Sequence, residues 1–379
     1  RISITGYGIV CAIGTDAEEV MNSLQSGESG IGRMRYLNSR HSELPVGEVR
    51  MSNDDMKAAL GIDSGRMVSR TSLMGALAVR EAVSRIGQER FTGRRAVLIS
   101  GTTVGNMDIN ESSPLPVSNE CGRSTEEIAE MSGLEDVGPC TISTACSSAL
   151  NSIILGAEML RRNEADIVVA GGSEALSVFH LNGFNTLMIL DRERCRPFDG
   201  TRAGLNLGEG AAYVIMERNA DDAAAYVSGY GNRCDAFHQT ASSPDGEGAF
   251  LAMSDALSMS GLTPDAIDYV NAHGTGTVNN DDSESQALKR VFPDCLPEIS
   301  STKSFTGHTT SASGSIETVI CILAMQHGFP PASLGWSVPS ENCIVPTKGH
   351  SGVRLNHVMC NSFGFGGNDS SIILSRSAD

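Results

Sequence analysis

Short segments rich in β-branched residues alternate with longer segments of helical periodicity along this chain, and this alternation limits the possible folds more than any other feature. The predicted strands are 2–5, 95–100, 165–170, 212–216, 266–270 and 371–374. The predicted helices, with Ala, Leu, Met and Ile at spacings of three and four, are 67–86, 147–162 and 313–326. Alternating strands and helices are typical of an α/β fold.

The length of 379 residues exceeds what one hydrophobic core usually supports, so we expect two domains or two closely packed halves. No low-complexity linker separates them, which favours intimate packing. Residues 141–146 and 299–303 are weakly similar, and each segment precedes a predicted helix. This similarity is a weak indication of internal duplication.

Net charge and cysteine spacing disfavour several classes of function. The net charge is −17 and the basic residues form no long cluster, so we expect no broad nucleic-acid interface. No apolar run is long enough to span a membrane and no secretory signal is visible, so we expect a cytoplasmic location. The ten cysteines form no CxxC pair, which argues against zinc ribbons, redox dithiols and a secreted disulfide framework.

Cys146 lies in TACSSAL, where an extended segment meets a predicted helix. The small neighbours let a substrate approach the sulfur. The N–H groups and positive dipole of a helix N-terminus favour thiolate, so we expect the pKa of Cys146 to be lowered from about 8.5 towards neutrality. The same N–H groups can bind an oxyanion. Cys146 could instead be a buried structural thiol, but no other cysteine has a comparable setting.

Two histidines follow strand-like segments in polar turns. His273 lies in NAHGTGT, with Asp281 and Glu284 following at helical spacing. His308 and Lys303 share the compact turn STKSFTGH. Two neutral imidazoles can donate N–H bonds to a carbonyl oxygen whose charge grows as carbon dioxide leaves. A zinc site is the competing interpretation, but the ligands lack short metal-binding spacings, so we predict no metal.

The segment NSFGFGG at residues 361–367 carries Phe363 and Phe365 among glycines. It lacks the full dinucleotide-binding fingerprint and a following helix, which disfavours a phosphate-binding loop. We therefore predict a flexible loop with a bulky gate.

TACSSA, HGTGT, STKSFTGH and NSFGFGG, in this order, resemble the motifs of the elongating β-ketoacyl-acyl carrier protein synthases of the thiolase superfamily. The resemblance extends nearly end to end, through ITGYG at 4–8, CRPFD at 195–199 and GEG at 208–210. It implies a thiolase-like five-layered αβαβα fold built from two similar halves. Residues 1–217 would carry the nucleophilic cysteine, and residues 218–379 the two catalytic histidines.

The resemblance also implies roles for the site residues. Cys146 matches the nucleophile that takes the acyl group, and His273 and His308 match the pair that serves malonyl decarboxylation. Lys303 matches the lysine that orders this site, and Glu317 matches a buried acid near it. Initiating synthases are less similar because they pair the cysteine with histidine and asparagine, and thiolases use a second cysteine as base.

Phe365 matches the gating phenylalanine, whose backbone N–H would form an oxyanion hole with that of Cys146. Phe363 would pack beside it. The implied reaction transfers an acyl chain to Cys146, and the carbanion from malonyl-acyl carrier protein then attacks that thioester. No metal or diffusible cofactor is implied, because the phosphopantetheine arm arrives on the carrier protein.

Three kinds of partner follow from the resemblance: the acyl carrier protein, a second copy in a homodimer, or a second ketoacyl synthase chain in a heterodimer. Carrier protein is acidic, so Lys57, Arg66 and Arg70 are the candidates for a docking patch. A solvated helix face is the alternative interpretation of these residues.

The sequence departs from the family pattern at several positions. The connection 101–146 is shorter than usual, so acyl chain length cannot be inferred from it. Ala203 replaces an acidic residue, Asn368 and Asp369 replace Thr-Asn, and 309–311 is more polar than usual. These changes indicate a branch specialised away from housekeeping fatty acid synthesis, towards polyene pigments or other bacterial polyketides.

Two other functions fit parts of this pattern. A non-catalytic, chain-length-determining subunit of a synthase heterodimer would share the fold, but such subunits usually lack the cysteine that Cys146 supplies. A cysteine hydrolase of the acyl-transfer class would share Cys146 and the oxyanion hole and would release free acid. The segment with Lys303 and His308 would then have no evident purpose.

Overall fold

The computed structural model describes residues 1–113, 120–134 and 136–377, in which strands and helices alternate. The strands are β1 (Ile2–Cys11), β2 (Ile31–Gly32), β3 (Val46–Gly47), β4 (Ala96–Gly101), β5 (Val137–Ile142), β6 (Ile167–Glu174), β7 (Gly210–Arg218), β8 (Ala225–Cys234), β9 (Tyr269–Asn271), β10 (Glu298–Ser300), β11 (His357–Gly364) and β12 (Asn368–Ser375). The helices are α1 (Ala17–Ser26), α2 (Asn53–Leu60), α3 (Arg70–Ser84), α4 (Met107–Ser112), α5 (Cys121–Ser132), α6 (Ser148–Arg161), α7 (Val178–Thr186), α8 (Glu247–Ser260), α9 (Val278–Val291), α10 (Lys303–Thr306) and α11 (Ser313–His327).

All strands except the short β2–β3 pair follow one another in the order β10-β9-β11-β12-β8-β1-β7-β6-β4-β5. Each set of five, β5-β4-β6-β7-β1 and β10-β9-β11-β12-β8, has the same internal order, namely its third, second, fourth, fifth and first strand. The sets meet where residues 2–4 of β1 pair antiparallel with residues 225–227 of β8. This repeated order supports two similar halves. The exact division at residue 217, near the end of β7, stays a prediction.

Three hydrophobic cores separate the layers. The central core contains the apolar side chains of α6 and α11, which lie between the two sets of strands. Helices α3 and α5 cover the outer face of the first set, and α8 and α9 cover that of the second. The layers therefore run helix, sheet, helix, sheet, helix, as predicted. Because α11 is surrounded by protein, every residue from Ser313 to Met325 is buried.

The three predicted helices are confirmed as α3, α6 and α11, with ends shifted by a few residues. Helix α3 begins only at Arg70, because Ser69 caps it by accepting a hydrogen bond from the Ser72 N–H. The predicted strand 266–270 is largely wrong: 264–266 form a 3-10 turn, and β9 starts at Tyr269. Strands β5, β8, β10 and β11 were not predicted, because their glycines, serines and asparagines weaken the β-branched pattern.

The fold brings the loops that follow three neighbouring strands to one edge of the sheet. Strands β9, β10 and β11 have the same direction, so their carboxyl ends lie at one edge of the sheet. In the other half, β5 leads directly to the start of α6. The connection 101–146 contains α4, α5 and β5, and its residues 114–119 and 135 lie outside the described residues. Among the described helices, none is long and apolar enough to cross a membrane.

Candidate active site

Cys146 lies on a tight turn between β5 and α6. The preceding residue, Ala145, has a φ of 52°, in the left-handed region that residues with a Cβ rarely adopt. The Ser148 hydroxyl holds the turn, because it accepts from the Thr144 N–H and donates to the Ala145 carbonyl. Only 6% of Cys146 is exposed. The turn therefore presents a nearly buried sulfur to an internal cavity.

One predicted histidine contacts this sulfur, and the other packs against the first in the wall of the same cavity. His308 Nε2 lies 3.1 Å from Cys146 Sγ. The rings of His273 and His308 are 5.2 Å apart between centroids and nearly perpendicular. Within the described residues, Nδ1 of each ring is buried without a hydrogen-bond partner. Neither neutral tautomer is therefore fixed by a hydrogen bond at Nδ1.

Burial dominates the protonation of these three groups. Desolvation raises the pKa of the Cys146 thiol to about 11, although the charge of Lys303 and the Phe365 N–H act in the opposite direction. The sequence-based expectation of a pKa near neutrality was therefore wrong for the ligand-free site. Burial, followed by the charge of Lys303, also holds the pKa of His273 and His308 well below the usual range. The resting site contains a thiol and two neutral imidazoles.

Lys303 and Glu317 form an ion pair behind the histidines. Lys303 Nζ lies 2.5 Å from Glu317 Oε1, and both side chains are buried. Burial raises the pKa of Glu317 to about 7, while Lys303 lowers it. No direct hydrogen bond joins Lys303 to either histidine among the described contacts. Lys303 therefore acts on the site mainly through its charge, which disfavours protonated histidine.

Glu284 and Asp281 support the loop that carries His273. The Glu284 carboxylate accepts from the backbone N–H groups of His273 and Gly274. Asp281 accepts from the N–H groups of Gly276 and Phe198. Burial raises the pKa of Glu284 to about 7 and that of Asp281 to about 6. Both predicted supporting acids therefore lie beside the site and contact backbone rather than the cavity.

Strand β11 places two phenylalanines and an N–H group at the sulfur. The backbone N–H groups of Phe365 and Cys146 both interact with the Cys146 thiol. Gly364 permits this close approach: a Cβ there would lie 3.0 Å from the Cys146 nitrogen, so the turn that carries Cys146 would have to shift by a few tenths of an ångström. The Phe365 ring stacks on Phe184 with 5.7 Å between centroids, and Phe363 packs against His273. The N–H groups of Cys146 and Phe365, which are the predicted oxyanion donors, thus both act on the Cys146 thiol.

A cavity of about 280 Å³ leads to these groups. Cys146, His273, His308, Phe363 and Phe365 all contribute to its wall. A substrate thioester in this cavity would therefore contact the sulfur, both imidazoles and the gate together.

The prediction that Arg70 belongs to a docking patch was wrong, because its side chain is buried. Arg70 is 7% exposed and forms a bidentate ion pair with Glu209, so it cannot contact a partner protein. The sequence predicted a docking residue or a solvated helix face at this position, but the contact of Arg70 with Glu209 crosses 139 residues of sequence. Lys57 is partly exposed and donates to the Ser64 carbonyl, and Arg66 pairs with Glu130. None of the three lines the cavity.

Sequence reasoning missed two buried residues near the site, Glu174 and His180. Glu174 ends β6 and accepts a hydrogen bond from Ser311, three residues after His308. His180 contacts Phe184, which stacks on the gate. The carboxyl end of the predicted strand 165–170 could have indicated Glu174. No local signal distinguished His180 from an ordinary hydrogen-bonded histidine.

A buried thiol, two neutral imidazoles and two converging N–H groups on a five-layered αβαβα fold define a class, the cysteine-dependent acyl-transfer enzymes. The family can be stated as well, because two family models together match most of the chain. "Beta-ketoacyl synthase, N-terminal domain" matches residues 1–222, and "Beta-ketoacyl synthase, C-terminal domain" matches residues 224–337. The chain belongs to the β-ketoacyl synthase family.

Individual relatives agree with this assignment over their full length. The chain is 32% identical to 3-oxoacyl-[acyl-carrier-protein] synthase 2 of Coxiella burnetii, covering 100% of this chain and 99% of that protein. It is also 32% identical to nodulation protein E of Rhizobium meliloti, covering 97% of each. Among solved structures, the ishigamide ketosynthase/chain length factor superposes with a TM-score of 0.90 at 29% identity, covering 100% of this chain and 99% of that one.

Proposed function

We propose that the chain is an elongating β-ketoacyl-acyl carrier protein synthase, which joins an acyl group held on Cys146 to malonyl-acyl carrier protein with loss of carbon dioxide. The observation that carries the proposal is the 3.1 Å contact between His308 Nε2 and Cys146 Sγ, with His273 beside it in one cavity. The similarity to 3-oxoacyl-[acyl-carrier-protein] synthase 2 supports the same reaction.

The first half-reaction transfers the acyl group to the enzyme. Because the pKa of Cys146 is about 11, the thiol needs a base, and neutral His308 accepts its proton as the sulfur attacks the thioester carbonyl. The oxyanion that forms receives hydrogen bonds from the Cys146 and Phe365 N–H groups. Collapse breaks the carbon–sulfur bond to the carrier, and the departing thiolate takes the proton from His308.

The second half-reaction forms the carbon–carbon bond. Malonyl thioester in the cavity loses carbon dioxide, and its thioester oxygen gains negative charge as the enolate forms. Neutral His273 and His308 stabilise this charge by donating N–H bonds, which their lowered pKa permits without prior protonation. The enolate carbon attacks the acyl carbonyl on Cys146, the carbon–sulfur bond to Cys146 breaks with release of a β-ketoacyl thioester, and the Cys146 thiolate takes one proton from water to restore the thiol.

Intact-mass spectrometry of the purified protein with acyl- and malonyl-carrier proteins tests this proposal. We expect an acyl adduct, followed by a β-keto product and carbon dioxide. Cys146→Ala should abolish the acyl adduct and the β-keto product, and Cys295→Ala, at an exposed cysteine, should abolish neither. Free acid without condensation would favour a cysteine hydrolase, and no adduct on folded protein would favour the non-catalytic subunit.

The departures at Ala203, 309–311 and 368–369 support a specialised pathway rather than housekeeping fatty acid synthesis. The similarity to the ishigamide ketosynthase/chain length factor supports a pathway that uses a ketosynthase with a chain length factor. Competition between saturated and polyunsaturated acyl-carrier proteins tests this point. Preference for the saturated chain would contradict it.

We propose that the reaction needs no metal and no diffusible cofactor. In the described ranges, no group of three or more His, Cys, Asp or Glu residues could hold a metal ion. The phosphopantetheine arm would arrive on the carrier protein. Dialysis against a chelator should therefore leave the condensation rate unchanged, and a loss restored by one added metal would contradict this.

We propose an acyl carrier protein and a second synthase chain as partners. The family includes a ketosynthase/chain length factor pair, so the second chain could be a copy of this protein or a related subunit. Lys57 and Arg66 remain candidates for carrier docking. Lys57→Glu with Arg66→Glu should raise the KM for carrier-bound substrate and leave the KM for a pantetheine thioester unchanged. An equal effect on both substrates would exclude docking at this surface.

We also propose a cytoplasmic location, because the family's substrates are carrier proteins of cytoplasmic biosynthesis. Fractionation of the source cells with an antibody against the chain tests this. Recovery of the protein with the membrane fraction after a high-salt wash would contradict it.

A further inference from the structure

A buried carboxylate behind the active site receives an unusual number of hydrogen bonds. Glu174, at the end of β6, is 1% exposed. It accepts from the hydroxyls of Thr102, Thr103 and Ser311 and from the Thr103 N–H. Ser311 lies three residues after His308 on the turn that leads to α11. Glu174 therefore fixes one side of the segment that positions His308.

The same carboxylate is connected to the aromatic gate through His180. His180 Nε2 lies 3.2 Å from Thr103 Oγ1. Since the single Thr103 hydroxyl proton is donated to Glu174, which can only accept when ionised, the His180 Nε2–H must be the donor to Thr103. This chain of donors fixes the tautomer and the orientation of the His180 ring.

The His180 ring, held in this orientation, packs against Phe184, which in turn stacks on Phe365. It meets Phe184 edge-on, with 6.4 Å between centroids and 74° between planes. Phe184 in turn stacks on Phe365 at 5.7 Å and 20°. Edge-to-face and stacked arrangements at these distances are the favourable geometries for aromatic pairs. Helix α7, which carries both His180 and Phe184, is thereby held against the loop of Phe365.

We propose that His180 is a positioning residue, which holds the Phe184–Phe365 stack, and with it the Phe365 N–H of the oxyanion hole, through its hydrogen bond to Thr103 and Glu174. The inference rests on the proposed function, in which Cys146 attacks a thioester. Loss of one oxyanion donor costs about a hundredfold to a thousandfold in rate, so misalignment of the Phe365 N–H should cost about tenfold.

Two variants at His180 separate the effect of its hydrogen bond from the effect of its ring. His180→Phe keeps an aromatic ring and loses the donor to Thr103. His180→Gln loses the ring and keeps an N–H donor, since Gln Nε2 is the same number of bonds from Cα as His Nε2. Thr103→Val removes the hydroxyl group that connects His180 to Glu174 and leaves His180 itself unchanged. Thr103→Ser is its matched control, because serine keeps both hydrogen bonds.

The readout compares two reactions of the same sulfur. Acyl transfer from a thioester develops an oxyanion, whereas alkylation by iodoacetamide does not. For His180→Phe and Thr103→Val, we expect acyl transfer to slow about tenfold through kcat, with alkylation slowed by a clearly smaller factor, since the Phe365 N–H also lowers the pKa of the thiol. His180→Gln and Thr103→Ser should restore acyl transfer to within about threefold of the wild type.

Each other outcome overturns the inference. Acyl transfer at the wild-type rate in His180→Phe would show that the hydrogen bond does not position the gate. Equal loss of acyl transfer and alkylation would indicate general structural damage, and failure of His180→Gln to recover would assign the effect to the ring alone. If the wild-type protein itself forms no acyl adduct, the proposed function fails, which is a separate result.

Discussion

At Cys146 two physical effects on the thiol oppose each other. The helix N-terminus and the Lys303 charge favour thiolate, but removal of water from a sulfur that is 6% exposed favours the thiol more strongly. A protonated nucleophile makes the neighbouring base essential. His308 is suited to this role, because its own pKa lies well below the usual range and leaves the imidazole neutral.

We predict that His308→Ala slows iodoacetamide alkylation of Cys146 at pH 7 about a hundredfold, because no base remains near a thiol of pKa about 11. The remaining rate should rise about tenfold per pH unit up to about pH 10, since only thiolate reacts. Mass spectrometry of alkylated protein over a pH series measures both effects. His273→Ala leaves the base in place and is the matched control. Equal rates in the two variants would rule out His308 as the base.

Asp369 is a second residue whose protonation depends on its surroundings. It replaces the asparagine expected in the family motif, and it lies on β12 close to Asp235 and Glu284. Its cross-strand neighbour Arg233 pairs with Asp255 instead. Burial, followed by the charges of Asp235 and Glu284, raises the pKa of Asp369 to about 8. At neutral pH its carboxyl group is mostly protonated and resembles an asparagine in charge.

We predict that Asp369→Asn changes how stability depends on pH. The protonated carboxyl contributes stability that is fully present below the unfolded-state pKa of about 3.9 and is lost as pH rises through about 8. The unfolding free energy of Asp369→Asn relative to wild type should therefore rise by about 5 kcal/mol between pH 4 and pH 8. Urea unfolding at several pH values measures it, with exposed Asp265→Asn as control. Parallel pH profiles would contradict the raised pKa.

At the scale of secondary-structure elements, β11 of the second half contacts the turn of the first half that carries Cys146. Its residue Ser362 donates a hydrogen bond to the Cys146 carbonyl at 2.9 Å, and its last residue, Gly364, lies against the Cys146 N–H. The gate residue Phe365 follows directly. One strand of the second half therefore supports the nucleophile of the first half, so the turn before α6 and the end of β11 must keep their spacing.

We predict that Gly364→Ala slows acyl transfer to Cys146 about tenfold or more, because the added Cβ would lie 3.0 Å from the Cys146 nitrogen and 3.2 Å from the Thr144 oxygen. The gate loop and the nucleophile turn would then separate. Single-turnover acylation measures this effect. Gly183→Ala is the matched control, since its Cβ meets nothing within 4 Å. Unchanged acylation in Gly364→Ala would show that the oxyanion donors tolerate this separation.

For the whole molecule, the active site exists only where the two halves meet. Cys146 comes from the first set of strands, and His273 and His308 come from the second. The buried helices α6 and α11 hold the sets together. The strand order also leaves β5 at one end, where no described strand pairs with its outer side. An unpaired strand edge favours association with another chain.

We predict that the protein forms dimers through the β5 edge, with itself or with a related chain. Gly138→Asp places a charge at an exposed position of β5 and should weaken the dimer at least about tenfold, because like charges would face each other across a two-fold axis. Mass photometry over a dilution series measures this. Gly32→Asp, where a side chain meets open space, is the control. A dimer equally stable in both variants would exclude this edge.

The sequence alone determined the α/β class and the long buried helices, and it singled out Cys146, His273 and His308, which the structure places in the wall of one cavity. Each of these inferences depends on local chemistry: helical periodicity, a small-residue turn before a helix, and reactive residue types at strand ends. The family resemblance added the five-layered arrangement, which the repeated strand order matches. The roles of the site residues remain predictions that the experiments above test.

Only the tertiary structure decided the protonation of Cys146, the burial of Arg70 and the link from Glu174 through His180 to the gate. The pKa of Cys146 depends on how much water packing removes, and local sequence does not record that quantity. The partner of Arg70 is 139 residues away, and Glu174 contacts Ser311 across 137 residues. Desolvation and long-range pairing arise when distant segments pack together, so they are properties of the folded chain.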